Sequence, residues 1–166
     1  MTATWITGDT LTVLRAMPSA SVDMVMTSPP FLALRSYLPD DDPAKVHEIG
    51  QEDTPGAFLD VLLDITEELR RVLAPHGSLC VELGDTYAGS GGAGGDYSDG
   101  GLREGQQVFD GSARIRKTPD GWPADKSLCL IPELYRFALA YGFNPLTGRQ
   151  TPRWRIRNVI RWVRPN

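Results

Sequence analysis

Cysteine is nearly absent from this chain: only Cys80 and Cys129 occur, and their spacing matches no metal site. Each lies in an apolar run, Ser78-Leu79-Cys80-Val81 and Ser127-Leu128-Cys129-Leu130-Ile131, which reads as a buried, reduced thiol rather than part of a disulfide framework. No stretch approaches the roughly 20 apolar residues needed to cross a bilayer. The opening Met1-Thr2-Ala3-Thr4-Trp5 has neither the basic nor the apolar region of a secretory signal, so the expectation is a cytoplasmic chain with no membrane partner. The run Gly-Ser-Gly-Gly-Ala-Gly-Gly at 89–95 lacks the Gly-Lys-Ser/Thr ending of a phosphate loop and opens no helix, which argues against nucleotide-phosphate binding there.

What is present is an ordinary globular composition: 41% hydrophobic and 23% charged residues, enough for one cored domain. A length of 166 residues is tight for an enzyme that must hold both a cofactor and a nucleic acid. The net charge of −4 hides an uneven distribution. Acids gather at Asp40-Asp41-Asp42, Glu48, Glu52 and Asp53. The last stretch holds Arg149, Arg153, Arg155, Arg157, Arg161 and Arg164 with no acid among them. That strip reads equally as a phosphate-facing surface and as a solvated strand with alternating arginines.

Along the chain, Ala3 to Thr7 suggests a short strand closed by Gly8-Asp9, and Thr10 to Met17 a short helix ended by Pro18. Val22 to Thr27 has few polar positions, the pattern of a strand covered on both faces, and Ser28-Pro29-Pro30 ends it because proline donates nothing to a ladder. Residues 32–54 read as a loop. Thr54-Pro55 then caps the clearest helix, with Phe58, Leu62, Ile65, Leu69, Val72 and Leu73 at helical spacing. Pro75-His76-Gly77 breaks it, and Ser78 to Leu83 reads as a second buried strand. Strand, helix and strand in that order predict an α/β fold with parallel neighbours. Residues 89–125 predict a long mobile Gly-rich insert, which either orders on DNA through Arg103, Arg114, Arg116 and Lys117 or is a featureless linker. A helix over 132–141, closed by Gly142, and a final strand over 156–163 complete one domain.

The strongest chemical signal is Thr27-Ser28-Pro29-Pro30-Phe31, at the carboxyl end of a strand, where open α/β sheets bind ligands. An aromatic amine is a poor nucleophile because its lone pair is delocalised into the ring. Two acceptors, the Ser28 hydroxyl and the Pro29 carbonyl, could hold its hydrogens and let the nitrogen pyramidalise. The stiff Pro29-Pro30 unit fixes the carbonyl, and Phe31 offers a flat face for an extruded base, worth about 1–3 kcal/mol. A rigid turn with Phe31 packed inside is the structural alternative.

Gly8-Asp9-Thr10-Leu11, then Ser21 through Phe31, Leu34-Arg35-Ser36-Tyr37, Ile49-Gly50-Gln51-Glu52, Leu73 through Ser78, Leu83 through Gly89 and Val159 through Asn166 follow one another in an order that resembles the amino-group DNA methyltransferases, the N4-cytosine and N6-adenine family. The resemblance implies a Rossmann-like sheet, S-adenosylmethionine as methyl donor, double-stranded DNA as substrate and direct transfer to the amine of a flipped base. It implies catalytic roles for Ser28, Pro29, Pro30 and Phe31, cofactor contacts from Asp9, Thr27 and Asp85, and nucleic-acid contacts from Arg35, Tyr37, Arg161 and Arg164. Asp9 fits a helix cap equally well, and Asp85 with Tyr87 fits a cap or turn. Carbon methylation of cytosine would need a cysteine after a proline, whereas Cys80 and Cys129 each follow leucine. Within this family serine at the first motif position is commoner among N4-cytosine enzymes, so Ser28 tilts the target toward cytosine, with N6-adenine as the alternative.

The family's Asp-Pro-Phe-x-Gly-x-Gly loop, which grips the methionine end of the cofactor, has no match here. The chain therefore looks like an amino-terminal half, expected to need a second chain or a C-terminal half; a catalytically inactive DNA-binding remnant is the rival reading. Methylation of a protein glutamine or of RNA is a further one, since a similar pocket holds any planar amide or amine.

Overall fold

The computed structural model describes residues 2–34, 36–39, 41–89 and 120–163. Their elements run α1 (Thr10–Ala16), β1 (Val22–Thr27), a 3-10 turn (Pro43–His47), α2 (Pro55–Val72), β2 (Leu73–Val81) and α3 (Ile131–Tyr141). β1 and β2 pair in parallel, with α2 as the crossover between them. This is the βαβ unit of a partial Rossmann-like α/β fold, as the order of apolar patterns predicts.

The helices begin where their side chains satisfy the free amides of the first turn. Asp9 accepts from Thr12 N in α1, and Thr54 accepts from Ala57 N in α2, with Pro55 at the first helical position. The Arg71 guanidinium donates to the carbonyls of Leu14 and Met17, closing the far end of α1 against α2. The apolar stripe of α2 forms the core. Phe58, Leu59, Leu62 and Leu63 are buried against Leu32, Cys129, Ile131, Tyr135, Ala138 and Leu139, while Leu69 and Val72 pack with Leu14. Inside this core Thr66 Oγ1 donates to Leu62 O, so it accepts from the Tyr135 hydroxyl 2.6 Å away. Both polar atoms are thereby paired, as burial demands.

Several expectations are corrected. Ala3 to Thr7 forms no strand, nor does 156–163, and Trp5 (93% exposed) and Ile160 (91% exposed) lie open to solvent. Strands need a laddered neighbour, and the described residues offer none at either place. β1 is covered on one face only: Val22 and Val25 pack toward α1 and α2, while Met24 and Met26 are exposed. Cys80 lies on the matching uncovered face of β2 and is exposed, unlike Cys129, which is buried. β2 begins at Leu73 rather than Ser78, and Pro75-His76-Gly77 is not a helix break but part of a bulge between the pairs Val22↔Leu73 and Met24↔Ser78. Gly77 permits it, because a Cβ there would stand 3.1 Å from Asp23 O and 2.9 Å from a Leu73 methyl. The insert expected at 89–125 lies mostly outside the described residues. Among the described residues no helix is long and apolar enough to cross a membrane.

The arginine-rich end splits in two. Arg149 is built into the fold: it donates to Asp60 O and forms ion pairs with Asp64 (2.6 Å) and Glu67 (3.0 Å) on α2. Arg153 donates to Tyr141 O. Arg155, Arg157 and Arg161 are exposed in a segment without regular secondary structure, and Arg164 lies outside the described residues.

The two thiols should differ sharply in reactivity. Burial, with Asp85 adding to it, pushes the Cys129 thiol up to about 11, so the thiolate that alkylating reagents require is scarce there. Iodoacetamide at pH 8 followed by peptide mass spectrometry should modify Cys80 and spare Cys129 in the folded chain. Equal labelling would contradict this packing.

Candidate functional site

Parallel pairing decides what meets at the sheet edge. Thr27 and Val81 are register partners, and Glu82 N donates to Thr27 O at 2.9 Å. The next residue on each strand, Ser28 and Glu82, therefore emerges at the same carboxyl edge, and the Ser28 hydroxyl donates to the Glu82 carboxylate. With its proton directed to Glu82, Ser28 Oγ keeps its lone pairs for another donor. The carboxylate behind it also makes the hydroxyl oxygen a better acceptor than a hydroxyl alone.

The motif borders a cavity of about 360 Å³ lined by Ser28, Pro29, Pro30, Phe31, Leu34, Tyr37 and Glu82. Ser28 through Phe31 of the motif and Tyr37 thus share one pocket, and Thr27 lies outside it. Phe31 is half-buried at its wall rather than sealed inside the core; Leu32, its neighbour, is the residue that goes into the core, 1% exposed. The loop bearing Tyr37 is tied down by Glu48, which accepts from Tyr37 N and from Ser36 Oγ and pairs with Lys45 at 2.8 Å. The Lys45 contact first, and then the Tyr37 amide, hold the Glu48 carboxyl below its usual range. Arg35 lies outside the described residues. A second cleft of about 390 Å³ opens beside the motif, between Thr27 and Ser28, Thr10 of α1 and Ile65, Thr66 and Leu69 of α2.

The residues expected at the cofactor divide by environment. Thr27 lines the second cleft. Asp9 is exposed, and its Oδ1 takes both Thr12 N and Thr12 Oγ1; those bonds hold its carboxyl below the usual range. Oδ2 takes part in neither bond. Asp85 is engaged on both oxygens, accepting from Thr86 N, Leu130 N and Ile131 N. It caps α3, whose own N-cap residue Leu130 sits in the left-handed region (φ 59°) with no capping side chain. Tyr87 is exposed and bridges to Leu128. Asp9 thus keeps one carboxylate oxygen clear of its helix cap, whereas Asp85 is committed to the fold.

Glu82 is the residue that pattern reading passed over. Its signal was nonetheless present: once two strands are parallel and their ends matched, the residue after one must face the residue after the other.

The fold and site define a class, an α/β unit that presents a rigid, aromatic-walled pocket at the carboxyl edge of a parallel sheet. Residues 22–166 match the family model described as DNA methylase, N6/N4 type, and the chain belongs to that family. It is 36% identical over 166 residues to the type II methyltransferase M.Cfr9I of Citrobacter freundii, covering 99% of this chain and 47% of that protein. It is 33% identical over 159 residues to the type II methyltransferase M.SfiI of Streptomyces fimbriatus, covering 96% of this chain and 30% of that one. The chain thus spans less than half the length of these relatives. Among solved structures it resembles the PvuII DNA methyltransferase (cytosine-N4-specific) at 30% identity, covering 52% of this chain and 27% of that chain, with a TM-score of 0.35. DNA methyltransferases of this family use S-adenosylmethionine as methyl donor.

Two outcomes test the geometry. A lowered carboxyl stabilises its partners above its unfolded value and loses that contribution as pH falls through the folded one. The Tyr37 amide resonance should therefore shift on acidification at a midpoint below the ordinary glutamate range, and Glu48→Gln should abolish that titration. Asp85→Ala should cost about 1–2 kcal/mol in denaturant unfolding by uncapping α3; an unchanged midpoint would remove Asp85 from that role.

Proposed function

We propose that this chain supplies the target-base half of a DNA amino-methyltransferase acting on the N4 amine of a flipped cytosine in double-stranded DNA. The observation that carries the reading is the Ser28–Glu82 pair at the wall of a pocket shared with Pro29 and Phe31. The extruded base stacks on Phe31, and its amine donates to Ser28 Oγ and to the Pro29 carbonyl. Both bonds localise the nitrogen lone pair. S-adenosylmethionine, when bound, supplies an electrophilic methyl group. After transfer the amine nitrogen carries an extra proton. Ser28 Oγ accepts it as the hydroxyl proton passes to Glu82, so charge is neutralised on the carboxylate. Serine in place of an acid at position 28 supports cytosine rather than adenine, because in this family serine there is commoner among N4-cytosine enzymes.

Tyr37 is assigned to the base or its flanking phosphate, with Arg35, and the exposed Arg161, with Arg164, to the phosphate backbone. Asp9 takes the adenine end of the cofactor and Thr27 its flank. The methionine end requires a second chain or a C-terminal half that carries a Gly-rich loop. The length of the relatives supports this, as do the unpaired β1 edge and the exposed Met24, Met26, Trp5 and Ile6 among the described residues.

Joined to such a half, the chain should transfer labelled methyl from S-adenosylmethionine to duplex DNA and yield 4-methylcytosine by nucleoside mass spectrometry. Ser28→Ala with Phe31→Ala should abolish transfer, and Glu82→Gln should lower kcat by about 10²-fold. Full activity in the double variant would overturn the pocket, and 6-methyladenine as product would overturn the choice of base.

A further inference from the structure

Phe31 rests on a glycine. A Cβ built on Gly84 would stand 2.5 Å from Cε2, 2.8 Å from Cδ2 and 3.1 Å from Cζ of the Phe31 ring. One whole edge of the ring therefore lies against the bare α-carbon. Glycine is commonly retained because a turn needs positive φ, but Gly84 is not among the residues in that region, whereas Gly50, Gly89, Gly121, Gly142 and Gly148 are. The backbone at 84 is open to any residue. What excludes a side chain is the ring.

The ring cannot give way by moving its own backbone. Pro29-Pro30 stiffens the chain before it, and Leu32 after it is buried in the core. Ala33 N donates to Gly50 O at 2.8 Å, and Phe31 O would be only 2.8 Å from a Cβ on Gly50. With the backbone held on both sides, the remaining freedom is rotation of the side chain, which carries the ring off Gly84. The pocket that Phe31 shares with Ser28, Tyr37 and Glu82 is the space adjoining it.

We propose that Gly84 is a positioning residue for the target base: its missing side chain sets how deep the Phe31 ring sits, and so the width of the slot between that ring and the Ser28 and Pro29 acceptors. This rests on the pocket being the target-base site. Gly84 touches no substrate in this scheme and acts only through Phe31.

The test uses the complete methyltransferase, this chain together with the half that carries the cofactor loop. Gly84→Ala should lower kcat by about 10²-fold, the scale of a misplaced reacting group. The KM for DNA should stay within about 3-fold, since backbone phosphates dominate that affinity. A duplex with 2-aminopurine at the target position should lose the fluorescence rise that reports base extrusion into the pocket. Phe31→Leu in the Gly84→Ala background should do no worse than Phe31→Leu alone, because the smaller side chain clears the added methyl; a purely structural loss at 84 would instead multiply with the loss at 31. Should Gly84→Ala fail to fold, the wild-type chain still decides the matter. Its Gly84 α-protons should show a ring-current shift that disappears in Phe31→Leu, and no shift would overturn the seat. Wild-type kinetics in Gly84→Ala would also overturn it. Activity surviving in the Ser28→Ala, Phe31→Ala enzyme would instead overturn the pocket itself, so the two failures are distinguishable.

Discussion

The parallel register of β1 against β2 is the constraint on which the site depends. Thr27 opposite Val81 brings Ser28 and Glu82 to one edge from positions 54 apart in sequence, and no local conformation would do so. α2 enforces that register. It joins the strands, fills the space beneath them with Phe58, Leu59, Leu62 and Leu63, and closes α1 through Arg71. The bulge at Pro75-His76-Gly77 absorbs the residues left over between the first pair and the rest. A one-residue slip along β2 would turn Glu82 away from Ser28 and bring an apolar neighbour to its place.

The pocket is assembled from contrasting materials for a physical reason. A hydroxyl is a weaker acceptor than a carboxylate, and Glu82 behind Ser28 restores part of the difference while keeping the charged oxygens one bond back from the pocket. Pro29-Pro30 has little conformational freedom to lose on binding any ligand, so the pocket wall it forms is preorganised. Phe31 is half-buried rather than sealed, which leaves part of its ring open to the pocket. The Tyr37 side of the pocket is held differently, by Glu48 and Lys45, through charge rather than packing.

The helices, the parallel βαβ order and the motif edge were legible in the sequence because each is written locally. Thr54-Pro55, Gly142 and the stripe from Phe58 to Val72 announce themselves over a few residues. Failures came where structure depends on a distant partner. Ala3–Thr7 and 156–163 carry strand-like patterns but find no ladder among the described residues, so their apolar residues stay exposed. The apolar composition of both strands predicts cover on both faces, but composition cannot say whether a covering layer is present. Arg149 looked like its basic neighbours, yet it is neutralised by Asp64 and Glu67 of α2. In the site, Ser28 to Phe31 are visible as a motif, whereas Glu82 and Gly84 meet Ser28 and Phe31 through pairing and contact, which spacing does not encode.

The uncovered face of the sheet has one more consequence. Met24, Met26 and Cys80 sit side by side on it, and Cys80 is a thiol on the outer surface of a strand that also ends in the pocket. It is thus a natural footprinting position: its rate of alkylation reads the occupancy of that face directly, independent of any turnover. The same atoms make the bare face sensitive to oxidants, since methionine sulfoxide would turn an apolar face polar.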